Sequence, residues 1–180
     1  MIVGPTCSGK STLAARLSAA MGVRCIEMDD MVWSPRWVRV DKAGAAGRRA
    51  FRERCAAAVS DEAWVCAGAW SSGRDLVLAR AETVVSLDLG LWCIFVRMLG
   101  RTAWRCWSQQ PVCNGNYETL ASAAFGAHSI FRYFWKQWPR QRNGPERRQH
   151  LEDLRASAPG ADILYFTTPE EVERWATGVG

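Results

Sequence analysis

Residues 4–11, GPTCSGKS, carry the spacing G-x-x-x-x-G-K-[ST]. Each fixed position has a chemical reason. Glycines let the backbone curl so that successive N–H groups converge on one point and receive phosphate oxygens. Lys10 adds a point charge between the last two phosphates, and the Ser11 hydroxyl suits Mg²⁺. The helix expected next contributes its positive N-terminal end. Gly4, Pro5, Thr6, Cys7, Ser8, Gly9, Lys10, Ser11 and Thr12 are therefore expected to hold a nucleoside triphosphate.

The flanks agree with that chemistry. Residues 1–3, MIV, form a short apolar run, and Leu13, Leu17 and Met21 recur every four residues as the apolar stripe of a helix. Gly22 stands where a C-cap glycine belongs. The strand is short beside the roughly five or six residues usual for one. Either the true start lies upstream or the strand is clipped.

Other side chains with chemical potential lie further along. Asp29 and Asp30 follow a second apolar run and precede MVWSPRW. An aspartate there either accepts the proton of an attacking hydroxyl or holds Mg²⁺ through water; otherwise it caps a helix. Asp88 ends the run ETVVSLD and reads as a partner of the metal's water shell, or equally as a cap or ion pair. Arg97, Arg101 and Arg105 are spaced to share one face of a helix. Phosphoryl transfer is mostly positioning and neutralisation of charge, so such a face suits closure over a triphosphate. The alternative is a solvated helix face.

These residues need a frame. At 180 residues the chain suits one domain with a single good core. Its net charge is +5, yet residues 97–155 hold ten Lys/Arg against four Asp/Glu, leaving the remainder at −1. That surplus suits either a polyphosphate-closing element or a nucleic-acid face. Seven cysteines without a C-x-x-C pair, and no signal peptide, read as reduced thiols of a cytoplasmic protein. His128 and His150 stand alone, which disfavours a zinc site. The longest apolar run, residues 89–96, is far short of a membrane span. Of ten tryptophans, several suit the core, and those beside charges suit a ligand pocket.

Strands are predicted at 23–28, 63–70, 82–88 and 161–168, after the first at 1–3. Helices are predicted at 43–60, 91–107, around 118–138, at 146–157 and at 169–178, the last with Pro169 and acids in its first turn. Alternation of this kind implies an α/β fold, a parallel sheet with helices on both faces. Ligands gather at strand C-terminal ends in such folds. Gly4, Asp29, the 67–70 turn and Asp88 are expected to meet there in one cleft.

The chain resembles the adenylate-kinase-like P-loop proteins, in particular the bacterial group labelled "adenylate kinase" or "DNA topology modulation protein", over nearly its whole length. The resemblance rests on GPTCSGKSTLA, MDDMVWSPRW, AWVCAGAW, RAETVVSLDL, VRMLGRTAWR, CNGNYETL and SIFRYFWKQWPRQR. It implies a P-loop NTPase three-layer sandwich of the nucleoside-monophosphate-kinase type. That fold would be one domain over 1–180, with a helical lid and acceptor region at 97–145. ATP and Mg²⁺ are the implied cofactors. Arg97 would lie near the ATP base and phosphates, and Arg101 would be the lid arginine that neutralises the moving phosphoryl group. Lys10, Asp29, Arg97 and Arg101 form the implied catalytic set, and Ser11, Asp29 and Asp88 the metal set. CNGNYETL is similar to the group's Asn-Gly-Asn-x-Glu lid segment, which puts Asn114 and Asn116 on the substrate side with Asp29, Trp33, Trp37 and Trp70.

Two positions depart from the group. Where it has Trp-x-x-Asp-Gly-Asn-Tyr, this chain has Trp64-Val65-Cys66-Ala67-Gly68-Ala69-Trp70, so Ala67 replaces the acid usually turned toward Mg²⁺. Gly90 replaces a proline. The leading expectation is an Mg-ATP-dependent phosphotransferase acting on a small acceptor, a nucleoside or nucleotide among the candidates because aromatic rings stack on bases. No membrane is involved in this reading. An alternative is a nucleotide-gated binding module, touching nucleic acid through residues 132–148, where aromatics interleave with Arg and Lys. A third reading, an adenylate isopentenyltransferase-like enzyme, rests on the loop alone.

Overall fold

The computed structural model describes residues 1–119, 129, 132, 134, 135 and 144–179. Its elements in order are β1 (Ile2–Val3), α1 (Lys10–Met21), β2 (Arg24–Glu27), α2 (Met28–Val32), β3 (Trp33–Ser34), β4 (Val38–Arg39), α3 (Gly44–Ala58) and β5 (Trp64–Ala67). They continue with α4 (Arg74–Leu78), β6 (Thr83–Leu87), α5 (Leu91–Ser108), α6 (Gly144–Ser157), β7 (Asp162–Phe166) and α7 (Pro169–Ala176). The helix expected around 118–138 and His128 fall largely or wholly outside the described residues, as does most of the basic 132–148 segment.

Five short apolar runs pair into one parallel sheet in the order β2-β5-β1-β6-β7. From β1 the chain first builds one side of the sheet, then crosses to the other after β5. The exit of β1 is therefore a topological switch point, where α/β sheets open a crevice beyond their strand ends. This order differs from both the dinucleotide-binding and the flavodoxin-like arrangements.

Alternation along each strand sorts side chains onto two faces. Val3, Cys66 and Val84 join Phe51, Cys55, Val77, Leu78 and Leu154 in a core beneath α3, α4 and α6. Their neighbours Ile2, Val65, Ala67 and Val85 join Leu13, Ala14 and Leu17 in a second core beneath α1, which Val172 and Trp175 of α7 extend. The result is a sheet between two helical layers, as the strand–helix alternation implies. Among the described residues no helix is long and apolar enough to cross a membrane.

Helix ends follow local chemistry. Gly22 closes α1 in the left-handed conformation, its N–H donating to the Ser18 carbonyl. Thr168 and Glu171 form a reciprocal capping box on α7, with Pro169 at its first turn. Met21 is a correction: expected on the buried stripe of α1, it is 53% exposed. The Gly22 turn ends the helix there, and Ala14 and Ser18 complete the buried face instead. The second strand also stops at Glu27, because Met28 already begins α2.

One buried ion pair braces the segment after β4. Asp41 is 1% exposed, and its carboxylate accepts from Arg39 Nε at 2.9 Å and Nη2 at 2.7 Å, and from the Ser72 hydroxyl. Burial alone would push Asp41 up, but the hydrogen bonds from Arg39 and Ser72, and the Arg39 charge, hold it below its ordinary value of 3.8. A folded-state value below the unfolded one stabilises the protein above the unfolded pKa, and that benefit is lost as pH falls through the lowered value. Asp41→Asn should therefore cost about 2 kcal/mol at neutral pH, in the range of charged hydrogen bonds. In urea titrations the gap to wild type should shrink as pH drops below 3.8. A pH-independent gap would mean that packing, not charge, holds Asp41.

Candidate functional site

Gly4 follows β1 with φ +150°, and a Cβ there would stand 2.4 Å from the Leu87 carbonyl oxygen. No side chain fits between the loop and the end of β6. The chain then turns through Cys7 (φ 60°) and Gly9 (φ 96°), both left-handed, and Gly9 starts α1 with its carbonyl accepting from Leu13 N–H at 2.9 Å. This curl wraps the N-terminus of a twelve-residue helix. A helix terminus of that kind offers unsatisfied N–H groups and a positive dipole end.

Three cations reach the loop, Lys10 from α1 and Arg97 and Arg101 from α5, and Arg105 stands beside them. Lys10 Nζ donates to the Pro5 carbonyl at 2.6 Å, spanning the loop from its own helix. From α5, Arg97 Nη1 donates to the Ser8 carbonyl at 3.3 Å and Arg101 Nη2 to Thr6 Oγ1 at 3.5 Å. The basic face of α5 is thus laid over the loop. Arg105, the next residue on that face, pairs with Glu118 at 2.7 Å. Burial lowers the Lys10 ammonium from its ordinary value; Asp29 and Cys7 oppose the shift and Arg101 adds to it. The Ser8 hydroxyl and Arg101 Nε are buried without a hydrogen-bond partner among the described residues.

These groups border a cleft of about 710 Å³, within the size range of small-molecule sites. Loop residues 6–12, Glu27, Asp29, Ala67, Gly68, Arg97, Arg101 and Arg105 line it, with Pro169 and Glu170 of α7 on the far wall. Ser11 Oγ donates to Glu27 Oε2 at 3.1 Å. Burial raises the Glu27 carboxyl above its ordinary value, the Ser11 hydrogen bond opposes this, and Asp29 and Asp30 reinforce it. Ser11, Glu27 and Asp29 all line this cleft, and oxygen donors of their kind suit Mg²⁺. Among the described residues no three His, Cys, Asp or Glu gather to hold a metal alone. Mg²⁺ commonly takes one or two carboxylates and completes its shell with phosphates and water.

Not every expected residue lines the cleft. Asp29, Ala67 and Gly68 do; Ala69 and Trp70 of the 67–70 turn, Gly4, Pro5 and Asp88 do not. The Tyr165 hydroxyl donates to Asp88 Oδ2, and the Asp88 N–H donates to the Phe166 carbonyl at 2.9 Å. Asp29 and Asp30 sit in the first turn of α2, which has no side-chain cap. Asp29 instead accepts from Trp70 Nε1 at 2.8 Å.

Trp70 leads to an aromatic group beside the cleft. Trp33 packs edge-on against Trp37 and Trp70, with centroids 5.4 and 5.9 Å away, and Arg39 stands over the Trp70 ring at 4.5 Å. Trp70 comes from the segment after β5, whereas Trp33 and Trp37 belong to the β3–β4 hairpin, which turns through Arg36 and Trp37, both at positive φ. Asn116 holds that strained turn, accepting from Trp37 N–H at 2.6 Å and donating to the Ser34 carbonyl at 3.1 Å. Asn114 Nδ2 donates to the carbonyls of Asp30 and Trp33. Both asparagines, expected on the substrate side, spend their amides on main chain and fasten the 113–117 turn to the aromatic hairpin.

Sequence reasoning missed Glu27. It reads as an ordinary strand residue, and only the strand order and register bring it to Ser11. The Trp37 clamp by Asn116 was equally hidden, because the partners are 79 residues apart.

Asn116→Ala should cost about 2 kcal/mol by orphaning the Trp37 N–H in a strained turn. Urea denaturation measures the loss, and intrinsic fluorescence should report the loosened tryptophans. Unchanged stability and emission would show that the turn holds without the clamp. Compared with family models and with curated proteins, the chain matches none.

Proposed function

We propose that the chain is an Mg-ATP-dependent phosphotransferase of the adenylate-kinase-like P-loop group, acting on a small hydroxyl- or phosphate-bearing acceptor. One observation carries the reading. Lys10 from α1 and Arg97 and Arg101 from α5 meet on a single glycine-shaped loop at the switch point of a parallel sheet. Three cations on a helix N-terminus form a receptor for a chain of phosphates. The unpartnered, buried Arg101 Nε supports it, since a phosphate supplies the acceptor it lacks.

The chain's own residues divide the work. The loop amides and Lys10 hold the β- and γ-phosphates, Lys10 exchanging its Pro5 carbonyl for a phosphate oxygen. Arg97 and Arg101 neutralise the transferring group, and α5 with the 109–119 segment acts as the helical lid. Asp29, beside Trp70, faces the acceptor and receives its proton. Trp33, Trp37 and Trp70 give a flat-ringed acceptor, such as a nucleoside or nucleotide, surfaces to stack on. Bound Mg²⁺ supplies charge neutralisation and in-line geometry. The seven free thiols suit a cytoplasmic setting.

A second reading is favoured by Ala67, which is 1% exposed and lines the cleft where the resembled group has an acid. A nucleotide-gated binding module would keep the loop and lose transfer. Acceptor-dependent ADP release separates the two readings.

Lys10→Ala should weaken ATP binding roughly tenfold to a hundredfold, the worth of a charged hydrogen bond, without unfolding the protein. A folded variant with unchanged ATP affinity and turnover contradicts the proposal. Arg101→Lys keeps the charge but loses the planar fork. Turnover should fall about a hundredfold while ATP affinity moves much less, because the contact tightens as transition-state charge develops. Normal turnover would show that the Arg101 fork takes no part in transfer and only packs on the loop.

A further inference from the structure

We infer that Glu27 is the carboxylate that orients the Ser11 hydroxyl and the water shell of the nucleotide's divalent cation. The inference rests on the proposed nucleotide reading and names a positioning residue within it. Three strand-terminal residues line the cleft, Glu27 of β2, Ala67 of β5 and Leu87 of β6, and Glu27 is the acid among them.

Register explains why it can serve. Glu27 lies directly opposite Ala67 in the parallel pairing of β2 with β5. Residues in register share a face of the sheet. Ala67 lies in the core beneath α1, so Glu27 projects toward α1 as well, and its Oε2 meets Ser11 Oγ at 3.1 Å. A strand spacing of about 4.8 Å separates the two backbones. Glutamate, one methylene longer than aspartate, brings its carboxylate back across part of that gap. The acid that the resembled group carries at the end of β5 would thus arrive from the neighbouring β2.

The surroundings call for a cation. Glu27 and Asp29 line the same cleft, and Ser11 is the residue whose hydroxyl the loop motif directs at a metal. Oxygen donors of this kind select hard divalent ions. Bound by Glu27 on one side and phosphate on the other, such an ion would join two anions that otherwise repel.

Calorimetric titration with AMP-PNP, in EDTA and with saturating Mn²⁺, tests the assignment in wild type, Glu27→Gln and Glu27→Asp. In wild type Mn²⁺ should tighten nucleotide binding. In Glu27→Gln that tightening should fall about tenfold to a hundredfold, the usual cost of losing an orienting carboxylate. Binding in EDTA should hold or improve, because an anion facing the phosphates is gone. Glu27→Asp should retain part of the Mn²⁺ effect. Glu27→Asp, which keeps the carboxylate on a shorter stem, also covers the case in which Glu27→Gln fails to fold: full loss of the Mn²⁺ effect together with equal loss in EDTA would overturn the inference. Equal Mn²⁺ tightening in wild type and Glu27→Gln overturns the inference and leaves the nucleotide reading standing. Equal weakening in both arms also overturns it, marking Glu27 as a structural residue. If wild type binds no nucleotide in either arm, the functional reading falls first and the inference with it.

Discussion

The contact between Gly4 and the Leu87 carbonyl constrains everything around the cleft. A Cβ at Gly4 would stand 2.4 Å from that oxygen, so the chain leaves the central strand only as glycine and at φ +150°. Leaving there, it turns at once across the end of β6 and starts α1 within the same loop. The turn aims the first N–H groups of α1 at the switch point of the sheet, and α5, which begins just after β6, lays its arginines on the same spot. Strand packing and the shape of the cleft are one constraint in this molecule.

Charge is held in the cleft at a cost on both sides. Burial lowers the Lys10 ammonium and raises the Glu27 carboxyl, so each is penalised for the charge it carries. Side chains kept in that condition are common at functional sites, where a ligand relieves the penalty. On the proposed reading a polyphosphate would answer Lys10, Arg97 and Arg101, and a divalent cation would answer Glu27. Neither alone would satisfy both sets. The aromatic hairpin beside the cleft is arranged differently: Asn114 and Asn116 fix its backbone, leaving ring faces and Asp29 as the groups with chemistry to offer.

The order of helices and strands was legible because period and punctuation carry it. The 3.6-residue stripe of α1 ends at Gly22, and the apolar runs of β5 and β6 end at Gly68 and Asp88. The loop spacing likewise named Lys10 and Ser11 for the cleft. What escaped was set by long-range geometry. Glu27 gains its meaning from register against Ala67, and Asp88 loses its expected place because Tyr165, on β7, donates to it. The hairpin of β3 and β4 has only two residues per strand, too few for alternation to register. Short α2 and α4 have five residues each and fall below the length at which helical period is visible.

The central claim is that the loop at the end of β1 grips a polyphosphate through its own backbone. Backbone amide shifts of isotope-labelled protein, followed while Mg²⁺ and AMP-PNP are titrated in, address that claim directly. Saturable shifts should be largest at Gly9, Lys10, Ser11 and Thr12, with the side-chain Nε–H of Arg101 shifting alongside. Shifts that fail to saturate, or that centre away from the loop and its arginines, would contradict the account.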